Sequence, residues 1–461
     1  MGPWDDESSR GGTAAVAQTI VAWRHGASGV EWEDPMSKLL GYRCSLCATE
    51  FGPDEVTYTC PKDGGNLDVL LDYAAIRAKY QPADILSRAD FSLWRYLPLL
   101  PVEEYPGVPT PLHAVGWTPV YSLSRLGQKL GLTQLWLKDE SRNPTASLKD
   151  RASAILVARA HEIQADVVIT ASTGNAGAAL AGIAAAVGQK AVVLAPKTAP
   201  PAKVAQLLIF GATVVLVDGT YDDAFDLTIA AANEFGWYCR NTGYNPFTAE
   251  GKKTAAYEIW EWWQAAHEHW HQQAGAAVNR SQLSVFVSVG DGNIISGLHK
   301  GFKDLHELGW ISSMPRLMGV QAEGSAAISG AFHANTETIR PVSAHTLADS
   351  ISVDLPRDGV RAIRAARETG GTYLTVSDNE ILGAVAELGR LGIFAEPAGA
   401  TAYAGLLRAI EGGLVESDDP VLVLNTGSGL KDVSAAMRAV AGAPVIEPTL
   451  AALKGVLHSR L

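Results

Sequence analysis

NPTASLKDRAS, residues 143–153, holds a lysine in an unusual setting. Lys149 stands at the mouth of a helical pattern, RASAILVARAHEIQ, after a Pro-Thr turn and next to an Asp-Arg pair. A solvated lysine gains little there, because a helix N-terminus carries partial positive charge and favours anions. The other use of such a lysine is nucleophilic: its amine condenses with a carbonyl to form a Schiff base.

Four glycine-containing segments offer a partner for that chemistry. STGNAG (172–177) follows DVVITA, GDGNIISG (290–297) follows VFVSV, TGSGLKD (426–432) follows VLVLN, and EPAGA (396–400) opens a helix. Ligands of open α/β sheets bind at the carboxyl ends of strands, so these loops are expected to converge on one crevice. The dinucleotide fingerprint fails, since Gly290-x-Gly292 is followed by glycine at 297 rather than 295. AEGKKT fails as a Walker loop: Pro246 holds the first glycine position and Lys253 the Ser/Thr position. GDGNIISG does suit a single phosphate, because small residues let the backbone approach and a helix N-terminus supplies free N–H donors. A one-phosphate loop and a poised lysine together point to pyridoxal phosphate (PLP).

A second constellation lies upstream. Cys44-x2-Cys47 is followed, twelve residues on, by Cys60-x2-Asp63. Two thiolates on a tight turn present both sulfurs to one tetrahedral zinc, and knuckles of this spacing build zinc ribbons. Asp63 in the fourth position is a less common ligand, so a ribbon held by its own small core is the competing reading. His267 and His271, at i and i+4 of an amphipathic pattern (254–275), have no visible third ligand, and a surface helix is expected there.

The elements that must position these groups alternate. From about residue 134, strand-like runs and helical patterns succeed one another, which calls for parallel sheets with right-handed crossovers. A second α/β region carries VFVSV (285–289), LMGVQ (317–321), YLTV (373–376) and VLVLN (421–425). Residues 1–35 read as an N-terminal extension, with Met36 as an alternative start, and 36–72 as a ribbon-like segment. With 461 residues, 47% apolar and 19% charged, the chain is globular and large enough for several compact units. Its net charge of −12 argues against nucleic acid as a partner. No apolar run is long enough for a bilayer, no signal-peptide pattern opens the chain, and four cysteines make no disulfide framework. A cytoplasmic protein is expected.

Seven ordered motifs carry a family resemblance: NPTASLKDRAS, STGNAG, NPFTAEGKKTAAYEI, GDGNIISG, GVQAEGSAAI, FAEPAGA and NTGSGLKD. Over about residues 40–440 the chain resembles the fold-type II PLP enzymes, whose lysine segment usually reads NPTGSFKDR, and among them the threonine synthases. The resemblance implies a tryptophan synthase beta-like fold: a large PLP-binding domain (73–144 and 246–461) and a small inserted α/β domain (145–245). It implies that Lys149 forms the Schiff base and moves the substrate α-proton, with Lys138 of WLKDE in a strand before the site. It implies that Asn175 hydrogen-bonds the cofactor's phenolic oxygen and that Ser172, Thr173 and Gly174 receive the substrate carboxylate. Gly290, Asp291, Gly292, Asn293 and Ile294 would cup the cofactor phosphate, and Thr426 would meet the pyridine nitrogen. Glu396 reads as a capping acid and receives no catalytic step. A homodimer is common in the family.

Two departures bear on the substrate. Thr248 stands where the family pattern has an arginine before EGQKT, and LADSISVDLPRDG (347–359) replaces an arginine-bearing segment. Arg240, Arg151 and Arg357 are the candidate replacement charges. A serine/threonine dehydratase, a cysteate synthase and a diaminopropionate lyase are therefore alternatives to a threonine synthase. A PLP-fold binding protein without catalysis is the alternative of another class.

Overall fold

The runs VVITA, SVFVS and VLVLN are apolar without alternation, and all five residues of each are buried. That is the pattern of parallel strands covered on both faces by helices. The computed structural model describes residues 38–172, 174–274 and 282–460. The extension 1–35, Met36 and Thr173 lie outside the described residues, as do the side chains of His267 and His271.

In chain order the strands are β1 (Leu39–Cys44), β2 (Glu50–Phe51), β3 (Leu67–Leu71), β4 (Val120–Ser122), β5 (Leu135–Asp139), β6 (Val167–Ala171) and β7 (Lys190–Pro196). They continue with β8 (Thr213–Val217), β9 (Tyr238–Cys239), β10 (Ser284–Ser288), β11 (Arg316–Ala322), β12 (Tyr373–Val376) and β13 (Val421–Asn425). Three sheets result. An antiparallel ribbon has the order β2-β1-β3. A six-stranded sheet runs β12-β11-β10-β13-β5-β4, parallel except for the edge pair β4–β5. A four-stranded parallel sheet runs β8-β7-β6-β9.

Both parallel sheets reverse direction once. In the larger, the chain steps outward from β10 to β12 and returns as β13 on β10's other side. In the smaller it steps outward from β6 to β8 and returns as β9 beside β6. Loops diverge at such switch points and leave a crevice. The loops after β6, β9, β10 and β13 are the ones that open onto it.

The helix Thr254–Ala274 corrects the surface expectation. Its first two turns are interior: Ala255, Ala256, Tyr257, Ile259 and Trp260 are buried, and Trp260 stacks on Trp310 at 5.6 Å. Glu258 from this helix joins Lys138, Glu140 and Arg151 in a buried ion network. Arg151 donates to Glu140 at 2.7 Å and to Glu258 at 2.6 Å, and Lys138 donates to Glu258 at 2.7 Å. No helix among the described residues is long and apolar enough to cross a membrane.

Candidate active site

Lys149 opens the helix Lys149–Glu162, and the chain pins it from both sides. Upstream, the Leu148 N–H donates to the Thr426 carbonyl at 3.0 Å, and Ser147 bridges Gly427. Downstream, the Asp150 carboxylate accepts the Thr145 N–H at 2.6 Å and the Thr145 hydroxyl. Burial pushes the Asp150 carboxyl up to about 6. The turn between them needs a left-handed residue, and Ala146 supplies it at φ 64°.

Lys149 lines a cavity of about 320 Å³. The same cavity is lined by Ser172, Gly174, Asn175, Gly290, Asp291, Gly292, Asn293, Ile294 and Thr426. Every described site residue of the catalytic motifs thus converges there. Burial lowers the proton affinity of the Lys149 amine, with Glu396 opposing, and a more neutral amine is the better nucleophile.

The loop after β10 needs its glycines. A Cβ on Gly290 would fall 2.8 Å from Ile351 Cα. Gly292 has φ +92°, and a Cβ there would meet the Asp358 carbonyl at 2.6 Å. The helix Asn293–Glu307 follows directly, so first-turn N–H groups without intrahelical acceptors lie at the cavity wall. Such a cradle fits one phosphate. Burial raises the Asp291 carboxyl, opposed by its backbone bond from Arg357 and by Lys252.

Three further groups stand in or beside the cavity: Glu396 and Lys252, to which the sequence assigned no role there, and Arg240, one of its candidate charges. Glu396 is buried and makes no capping bond; its carboxylate accepts from Asn175 Nδ2 at 2.6 Å. Burial pushes that carboxyl up against the pull of Lys149. Lys252 lines the cavity and donates to Asn293 Oδ1. Burial lowers its amine well below the ordinary value, and the Lys149 and Arg240 charges add to that. Arg240, just past β9, is wholly buried; its Nη1 donates to Thr242 Oγ1 at 2.7 Å, while its Nη2 has no partner. Burial brings it down to about 10. Among the described residues, neither Lys252 nor Arg240 has a carboxylate within salt-bridge distance. FAEPAGA and EGKKT were the only signals of Glu396 and Lys252.

The other candidate charges are occupied. Arg151 is consumed by Glu140 and Glu258, and Lys138 by Glu258. Arg357 pairs with Asp222 at 2.6 Å. Thr248 is buried in the helix Phe247–Lys252, where its hydroxyl donates to the Asn245 carbonyl at 2.8 Å. It does not line the cavity.

A glycine cradle for one phosphate, a lysine of lowered proton affinity beside it, and buried cations without carboxylate partners fit PLP. On two parallel sheets meeting at their switch points, they define a fold-type II PLP enzyme. The family model described as pyridoxal-phosphate dependent enzyme matches residues 112–427. A threonine synthase of Methanocaldococcus jannaschii is 36% identical over 420 residues, covering 90% of this chain and 98% of the relative. One from Methanosarcina acetivorans is 35% identical over 91% of this chain and 98% of its own length. In solved structures, diaminopropionate ammonia lyase from Escherichia coli shares the fold at a TM-score of 0.60, with 20% identity over 78% of this chain and 94% of that one. Threonine deaminase isoform 2 from Solanum lycopersicum does so at 0.57, with 22% identity over 70% and 87%. The chain belongs to the pyridoxal-phosphate dependent enzyme family, among the threonine synthases.

Proposed function

We propose that this chain converts O-phosphohomoserine and water to threonine and phosphate. The observation that carries the reading is the pair of buried cations, Lys252 and Arg240, in and beside the cavity of Lys149. Burial disfavours the charge on both groups and an anionic ligand would restore it, so the cavity suits anionic ligands. The glycine cradle answers one phosphate. The surplus charge answers a second, on the substrate. Serine, threonine and diaminopropionate leave it unanswered.

Bound PLP supplies an electron sink for charge that develops at the substrate α carbon. Lys149 would hold the cofactor through its amine and, once displaced by the substrate amine, would take and return the α-proton. Ser172, Thr173 and Gly174 receive the substrate carboxylate. Asn175, backed by Glu396, is assigned to the cofactor's phenolic oxygen, and Thr426 to the ring nitrogen. A hydroxyl there does not hold that nitrogen protonated, which disfavours transamination and suits elimination and replacement. Lys252 and Arg240 hold the phosphate that departs from the γ carbon, and water then adds at the β carbon. We take 145–245 as the small domain, whose closure on 73–144 and 246–461 excludes water until that step. On the family resemblance we take the assembly to be a homodimer and the compartment the cytoplasm. Sedimentation of the purified chain and cell fractionation test these.

The deciding experiment is phosphate release from O-phosphohomoserine by the PLP-loaded protein, with threonine quantified and Lys149→Ala as control. Release with threonine, lost in the control, is the expected result. Borohydride is expected to fix the cofactor on Lys149. Label without turnover would overturn the substrate, and O-phosphoserine, serine and diaminopropionate would then be assayed. No label would leave a binding protein.

A further inference from the structure

The ribbon takes no part in the chemistry above, yet it gathers four ligand groups. Cys44 ends β1 and Cys47 lies on the turn after it; Cys60 and Asp63 lie on the turn before β3. One ligand atom from each of these residues lies within 4.8 Å of the other three. Cys47 Sγ and Cys60 Sγ are 3.8 Å apart, and Cys44 Sγ is 3.3 Å from Asp63 Oδ1. With Zn–S near 2.3 Å and Zn–O near 2.0 Å, a tetrahedral ion sets two sulfurs about 3.8 Å apart and a sulfur and an oxygen about 3.5 Å apart. The observed spacings match both.

The groups are also oriented as ligands are. The Leu46 N–H donates to Cys44 Sγ at 3.3 Å, and the Gly65 N–H donates to Asp63 Oδ1 at 2.9 Å. Such outer bonds fix ligand direction. Gly65 is required for the approach, since a Cβ there would stand 2.7 Å from Cys44 Sγ. Three soft thiolates select zinc over calcium or magnesium.

The knuckles grip one segment of the catalytic body. Tyr58, two residues before Cys60, accepts the Cys239 N–H on its hydroxyl at 2.9 Å and stacks on Tyr244 at 4.7 Å. Asn66, three residues after Asp63, donates to the Gly243 carbonyl at 2.6 Å and to the Arg357 carbonyl at 3.1 Å. Between these contacts lie Arg240 and Thr242, where the chain leaves β9 for the helix Phe247–Lys252.

We propose that Cys44, Cys47, Cys60 and Asp63 bind one zinc ion, and that the closed site braces residues 239–244 against the catalytic body. The metal is structural: four protein ligands leave no open position for chemistry. The assignment does not depend on the substrate.

The test uses the full-length, PLP-loaded protein. Elemental analysis is expected to find one zinc per chain. After chelation, cobalt(II) chloride is expected to give the visible absorption of a tetrahedral thiolate site, saturating at one equivalent. Asp63→Cys, which keeps a closed site, is expected to raise the thiolate-to-cobalt band by about a third, as three thiolates become four. Amide exchange at Cys239 and Tyr244, whose N–H groups donate to the Tyr58 hydroxyl and the Asn241 carbonyl, is expected to speed up at least about tenfold on chelation and to slow again with zinc. Absence of both zinc and the cobalt band would overturn the site, as would a Cys47–Cys60 disulfide in protein trapped at isolation. A saturable cobalt site with unchanged exchange at 239–244 would overturn the bracing role.

Discussion

Lys252 donates to Asn293 at the lip of the glycine cradle, so a surplus cation and the phosphate loop form one unit. Asn293 is itself held by the Asp358 carboxylate, to which its Nδ2 donates at 2.7 Å. Lys252→Met keeps the stem and removes the charge. A charged hydrogen bond is worth about 1.5–3 kcal/mol, so KM for O-phosphohomoserine is expected to rise roughly ten- to a hundredfold. PLP affinity, measured separately by equilibrium dialysis, is expected to fall less. A loss confined to PLP would assign Lys252 to the cofactor phosphate instead.

Asp150 gives a pH signature. Its carboxyl sits at about 6 in the folded chain, raised from 3.8 by burial. The native state therefore binds that proton more tightly than the unfolded one. This contribution is fully present below about 3.8 and is lost as pH rises through about 6. Asp150→Asn keeps an acceptor for Thr145 and removes the titration. The variant is expected to gain stability relative to the parent between pH 4 and pH 7, on the order of 3 kcal/mol. Urea unfolding at both pH values measures it; an equal difference at the two would sink the assignment.

Backbone-defined features were legible in the sequence and tertiary ones were not. Lys149, Asn175, Gly290–Ile294 and Thr426 sit on loops or on the first turns of the helices that follow them, where glycine spacing and strand context are local. The cavity then needed only the two switch points to assemble. Glu396 read as a capping acid because its bond to Asn175 joins residues 221 apart in the chain. Arg151 read as a free charge because Glu258, its partner, lies on a helix expected at the surface. Thr248 read as a missing clamp, but its position is packed inside the helix Phe247–Lys252, and the charge stands at Lys252 and Arg240 instead.

Ala146 carries a cost that the usual NPTGSFKDR form avoids. Its φ of 64° lies in the left-handed region, where a Cβ costs roughly 1–2 kcal/mol. Glycine relieves this but adds freedom to the unfolded chain. Ala146→Gly is expected to be stabilising by about 1 kcal/mol or less, with kcat unchanged, read from the urea midpoint. Destabilisation beyond about 1 kcal/mol would show that the turn gains from the methyl group.

Arg151 is the group whose loss the fold tolerates least. It is wholly buried and bonds two carboxylates that Lys138 alone cannot balance. Burial opposes ionisation of Glu258, yet Arg151 and Lys138 hold its carboxyl down to about 2. Arg151→Met leaves Glu140 and Glu258 with one cation, and breaking a buried pair in this way costs about 3–5 kcal/mol. The variant is expected to melt well below the parent. Adding Glu140→Gln and Glu258→Gln removes the stranded charge and is expected to recover part of the loss, because the penalty lies in unpaired burial and not in the missing contact. If the triple variant is no more stable than the single one, the network acts through packing of the Arg151 side chain instead.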